Sequence, residues 1–263
     1  MSTKKRRLLQ QCSNCDTPLL NGENFCPNCG QENNSKQVSV RLLIDDFFKD
    51  YIAFDSKIFR SIRPLLFAPG RMTQAYLDGK RQMFVPPIRL FLFLSFLYFG
   101  SSLLFDQTPV ETTLTISGDD ASDQILPKFR QNFQYMVFFF TPLQALILMP
   151  FFRSKRRRFY INYLVYTLHT FSFFFVLGIV HLLISSILGQ FEEEFIWIEL
   201  GYRLVLLIYL IYYSIVSLKR VFEKRFNILR YLGTIIVSLV IFLAVMFGAL
   251  ILIAELYGTS FFQ

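Results

Sequence analysis

Four cysteines carry the clearest chemistry in this chain: Cys12-x2-Cys15, ten intervening residues, then Cys26-x2-Cys29. Two Cys-x-x-Cys turns present four soft thiolates to one ion, and a tetrahedron of sulfurs at about 2.3 Å per bond is the ligand set of structural zinc. Four protein ligands leave no open position for water or substrate, so a structural ion is expected rather than a catalytic one. A redox dithiol or an iron centre would use the same residues. A redox pair normally sits on a larger thioredoxin-like unit, and zinc is the stronger expectation.

The residues around the cysteines suit backbone that must bend about a metal: Ser13 and Asn14 in one turn, Pro27, Asn28 and Gly30 in the other, with Asn21-Gly22 as a turn between the halves. About 20 residues cannot bury a sufficient core, so metal binding would supply most of this segment's folding free energy. All four cysteines fall in the first 29 residues, which disfavours a disulfide-stapled exported domain. The opening MSTKKRRLLQQ has basic charge without an apolar stretch after it, and no cleavable signal is read there.

The rest of the chain is unlike a water-soluble domain. Its 263 residues are 53% hydrophobic with 32 Phe, and the apolar residues gather in five stretches near the 20 residues that cross a bilayer, at 88–105, 135–152, 162–189, 195–218 and 228–256. The net charge of +8 sits between these stretches rather than on a groove-binding face. Residues 153–158 (RSKRRR) and 219–230 are basic; residues 106–132 and 192–194 (EEE) are predominantly acidic. Basic loops mark the cytoplasmic side. Their alternation predicts a cytoplasmic amino terminus, five crossings and an external carboxyl terminus. The expected architecture is an all-α polytopic membrane protein: a zinc ribbon with a basic tail at 1–36, cytoplasmic or interfacial amphipathic helices at 37–87, and a membrane domain at 88–263.

Two amphipathic helices are expected ahead of the spans. One places Val40, Leu43, Ile44, Phe47, Phe48, Tyr51 and Ile52 on a face; the other starts at Ser56 with Ile58, Phe59, Ile62, Leu65 and Leu66 together. Basic residues opposite phenylalanine suit either a helix lying in the membrane interface or a packed cytoplasmic layer. Pro69-Gly70 then reads as a turn, residues 72–77 as a short helix, and Pro86-Pro87 as a rigid lead into the first span.

The combination of CPNCGQ at 26–31, PGR at 69–71 and AYLDGKRQMFVPP at 75–87 resembles an uncharacterised family of bacterial membrane proteins carrying a domain of unknown function. The resemblance covers about residues 12–100. It implies a cytoplasmic (inner) membrane protein with a cytosolic ribbon, and it implies no activity. Arg71, Lys80, Arg81 and Arg89 could hold lipid phosphate where the chain meets the membrane, or act simply as orientation-setting cations.

Ionisable groups within spans are costly and commonly functional, and few occur here. His169 and His181 share one span but lie twelve residues apart and point about 120° from each other, so they do not form a joint metal site. Glu199 and Arg203 have the i, i+4 spacing of a mutually neutralising pair. Thr141-Pro142 and Gln144 suggest a kink with a polar contact. No Ser-His-Asp set, His-Glu-x-x-His or phosphate-binding glycine loop is present. A non-enzymatic scaffold or adaptor is therefore expected, acting through lipid, a protein partner or a homo-oligomer, with a small oligomeric transporter or channel component as the alternative. Nucleic acid is disfavoured because the ribbon carries Asp16 and Glu23 and no lysine or arginine between its first and last cysteine.

Overall fold

The computed structural model describes residues 9–20, 23–33, 39–49, 54–104, 121–153, 159–188, 196–222 and 227–258. The Asn21-Gly22 turn, the basic residues 4–7 and 154–158, Lys224 and Arg225, the acidic run 192–194 and most of the 106–132 connection lie outside them. Regular structure among the described residues is helical: α1 (Val40–Lys49), α2 (Phe54–Phe67), α3 (Arg71–Leu77), α4 (Pro87–Leu104), α5 (Ala121–Phe151), α6 (Tyr160–Leu188), α7 (Ile196–Phe222) and α8 (Ile228–Gly258). Two isolated antiparallel bridges, Gln11 with Pro18 and Phe25 with Glu32, are the extended pairings.

Tyr160–Leu188, Trp197–Phe222 and Ile228–Val245 are each long and apolar enough to cross a bilayer. This is a membrane protein. Shorter apolar helices run over Pro87–Ser102 and Met136–Phe151, where the sequence predicts two further spans. Helix α5 begins 14 residues before the expected 135 (135 − 121), because Asp123, Pro127, Lys128 and Arg130 hide its polar first turns from an apolar pattern. Helix α7 runs past 218 to include Lys219 and Arg220, cations that the negative end of the helix dipole favours.

Helix α6 is the hub, packed against α4, α5 and α7, while α8 rests on α5. Much of the phenylalanine content is spent here. Phe173 stacks on Tyr213 with centroids 3.5 Å apart, and Tyr163 stacks on Phe222 at 4.7 Å, which fixes α6 and α7 antiparallel. Where α4 crosses α6, a Cβ on Gly178 would stand 2.5 Å from the Tyr98 ring; the missing side chain permits the close approach common between membrane helices.

The segment ahead of the spans departs from expectation. Leu42 and Leu43 of α1 are buried while Val40 and Ile44 are exposed, so the inward stripe is rotated from the one read in the sequence. In α2, Ile58 and Leu65 enter the core but Phe59 is 79% exposed. Helix α3 exposes Arg71 but turns its other side into the core. It packs between α6 and α7 with Met72, Thr73, Tyr76 and Leu77 buried. Gly70 makes this insertion possible: its φ of 74° suits glycine, and a Cβ there would meet the Ser217 backbone oxygen at 3.0 Å.

Candidate metal centre

The two cysteine turns are copies of one another. Adding 14 to each number maps Cys12 onto Cys26 and Cys15 onto Cys29, and the backbone follows the same rule. The Cys12 amide donates to the Thr17 carbonyl at 2.9 Å and the Cys26 amide to the Gln31 carbonyl at 2.8 Å. The Asp16 amide donates to the Cys12 carbonyl at 3.0 Å and the Gly30 amide to the Cys26 carbonyl at 2.9 Å. Asp16 and Gly30 carry the left-handed bend of each copy, at φ 59° and 70°. Identical turns facing each other bring the pairs together.

All four Sγ atoms lie within 4.8 Å of one another. Between the turns, Cys12 Sγ stands 3.6 Å from Cys29 Sγ and Cys15 Sγ 3.5 Å from Cys26 Sγ. Sulfurs bound at about 2.3 Å to one tetrahedral ion stand roughly 3.8 Å apart, so the four residues fit a single metal ion. The Asn14 amide, 3.5 Å from Cys12 Sγ, and the Thr17 hydroxyl, 3.1 Å from Cys15 Sγ, supply polar contacts to the sulfurs. The hydroxyl and then the amide of Thr17 pull the Cys15 thiol down to about 6. Burial pushes Cys12 up and Cys29 up to about 12.

The ribbon is seated on the rest of the chain. The Gln31 side chain, 7% exposed, donates from Nε2 to Ser13 Oγ at 2.6 Å and to the Gly79 carbonyl at 2.7 Å, and its Oε1 accepts the Arg81 amide at 3.1 Å. A primary amide thereby pairs with backbone as a neighbouring strand would. Gly79, at φ 96°, closes α3, and the turn it forms is the ribbon's seat. Neither Gln31 nor this seat is identifiable from sequence alone; the 14-residue offset is the available signal, since it puts Gln31 beside the last cysteine turn where Thr17 stands in the first.

Below the seat, polar bonds tie the inserted segment to the spans. Thr73 Oγ1 is 2.9 Å from His169 Nδ1, both buried. Arg220 donates to the Pro69 carbonyl at 2.6 Å, and the Tyr209 hydroxyl donates to the Leu66 carbonyl. Tyr76 donates to Asp46 at 2.8 Å, linking α3 to α1; burial and the neighbouring carboxylate push its hydroxyl well above the ordinary range.

The remaining sequence-derived positions scatter. Arg71 is exposed, and Lys80, Arg81 and Arg89 are half-buried. His181 Nδ1 lies 3.1 Å from the Tyr202 hydroxyl, so the two histidines take separate partners. Glu199 and Arg203 pair on α7. Thr141 bonds back to the Val137 carbonyl at 2.7 Å, and the Pro142 carbonyl receives the Tyr160 hydroxyl at 3.1 Å.

A family model described as a protein of unknown function (DUF3667) matches residues 55–99. That stretch holds α2, α3, the Gly79 seat and most of α4, and stops short of the ribbon. No curated protein and no solved structure matches the chain.

Proposed function

We propose that this chain is a non-enzymatic scaffold or adaptor of the bacterial inner membrane, with five spans, a cytoplasmic amino terminus and one structural zinc ion held by Cys12, Cys15, Cys26 and Cys29. The observation that carries the reading is the two-sided ribbon. One side is committed to Gly79 and Arg81 through Gln31, while Leu20 and Phe25 are 76% and 62% exposed. Large apolar side chains held out on a rigid metal clip are the kind of anchor a protein partner buries. The seat fixes where that anchor stands relative to the membrane, as an adaptor requires. The alternation of loop charge in the sequence supports the orientation, and four cysteines with no open ligand position support a structural ion.

Quantitative comparison of proteins co-purifying in mild detergent with the intact chain and with a Leu20→Ser, Phe25→Ser variant tests the reading. A defined set lost from the variant, with metal content unchanged, supports the adaptor and names its partners. An identical set from both chains rejects the exposed ribbon face as a contact surface.

A further inference from the structure

Helices α6 and α7 are joined at one end by the stacks of Tyr163 on Phe222 and Phe173 on Tyr213, and toward the other end an open cavity of about 490 Å³ lies between them. Phe174, Leu177, Gly178 and His181 line one wall and Arg203, Leu206, Leu207 and Leu210 the other. Each set has the i, i+3, i+4, i+7 spacing of a single helix face. Most of the lining is apolar. The polar groups gather at the end remote from the ribbon: Arg203, paired with Glu199 one turn away, and His181 against Tyr202.

Arg203 is 17 residues from Arg220, whose guanidinium reaches Pro69 at the ribbon end of α7. At about 1.5 Å per residue this is roughly 25 Å, close to the 30 Å depth of bilayer hydrocarbon. With Arg220 at one bilayer surface, this length carries the Glu199–Arg203 pair toward the opposite surface, with the apolar part of the groove between them.

We propose that this groove seats one zwitterionic phospholipid, with an acyl chain along the leucine and phenylalanine walls and its headgroup at the ion pair. The choice of headgroup rests on charge complementarity. Arg203 is matched to a phosphate, because its planar guanidinium can donate two parallel hydrogen bonds to a pair of phosphate oxygens. Glu199 beside it repels a purely anionic headgroup and attracts the ammonium of an ethanolamine one. A carboxylate next to a cation mirrors the ammonium next to a phosphate.

The test is native mass spectrometry of the full-length protein, delipidated in detergent and offered equal amounts of phosphatidylethanolamine and phosphatidylglycerol with the same acyl chains. The intact chain is expected to retain the ethanolamine lipid over the glycerol lipid by roughly two- to fivefold, the scale of exposed ion pairs. Glu199→Gln, conservative in size, should abolish that preference. Arg203→Gln should weaken retention of both lipids, and Leu207→Trp, which fills the groove without touching the charges, should weaken retention while the thermal transition stays in place. Equal retention of the two lipids by the intact chain, or a preference untouched by Glu199→Gln, overturns the proposal. So does a photo-crosslinker at Leu207 that captures a second copy of the chain in lipid bilayers instead of lipid.

Discussion

Thr73 and His169, 96 positions apart in the chain, share a buried hydrogen bond of 2.9 Å between a hydroxyl and an imidazole Nδ1. The bond ties a seven-residue helix that precedes the apolar helices to the middle of the helix on which the others pack. Thr73→Val keeps the shape and removes the hydroxyl, leaving the ring nitrogen without that partner. The expected loss is about 1 kcal/mol, the scale of a single such bond between membrane-buried helices, read as a lower midpoint of thermal unfolding in detergent. An unchanged midpoint would mean the bond contributes nothing net.

Gly70→Ala should be costlier. The substitution imposes a left-handed conformation on a residue with a Cβ and drives that Cβ against the Ser217 carbonyl, a backbone atom that cannot rotate away. A penalty of about 1–3 kcal/mol is expected, together with detachment of α3, which a cysteine placed at Thr73 would report through labelling by a thiol reagent.

Gln31→Ala separates the metal from the seat. The four cysteines are intact, so zinc content should match the wild type, yet the bonds to Gly79 and Arg81 are gone. Faster proteolytic cleavage between the ribbon and α1 is the expected result. Equal cleavage rates would show that the ribbon is held by other contacts.

Metal binding should release protons, and the thiols set the order. In the closed arrangement of the ribbon the Thr17 contacts draw the Cys15 thiol down to about 6, whereas burial raises Cys12 and Cys29, so near pH 7 the ion displaces protons chiefly from the latter two. Affinity should therefore rise with pH through neutrality and fall further below about 6, where Cys15 also holds its proton. Calorimetric zinc titrations in two buffers of different ionisation enthalpy count the protons. A buffer-independent enthalpy at pH 7 would contradict this order.

The cysteine cluster was legible because its ligands are local: two-residue spacings and turn-forming neighbours define each half, and metal geometry joins them. The long apolar helices were legible for a similar reason, since bilayer thickness sets their length whatever they touch. The insertion of α3 was not. Met72 and Thr73 are ordinary residues in a polar-flanked segment, and its burial depends on Ser217 and Val221, which crowd Gly70, and on His169, which meets Thr73, all far along the chain. Phe59 failed in the opposite direction: a helical face defined by apolar residues alone placed it inward, but α2 buries only the narrower stripe through Ile58 and Leu65. Gln31 ends the CPNCGQ motif, but nothing in that motif says what its side chain meets. Its role is visible only once the Gly79 carbonyl and the Arg81 amide stand before it.

The insertion also constrains how the molecule is made. Leu66 and Pro69 find their partners in Tyr209 and Arg220, 143 and 151 residues later. At 5–20 residues per second the ribosome needs on the order of ten seconds to supply those partners. Throughout that interval α3 has been synthesised but its berth against α6 and α7 does not exist. The contact between α3 and α7 therefore closes from the carboxyl-terminal half back onto the amino-terminal one, whereas the ribbon's own seat on Gly79 and Arg81 needs nothing beyond residue 81.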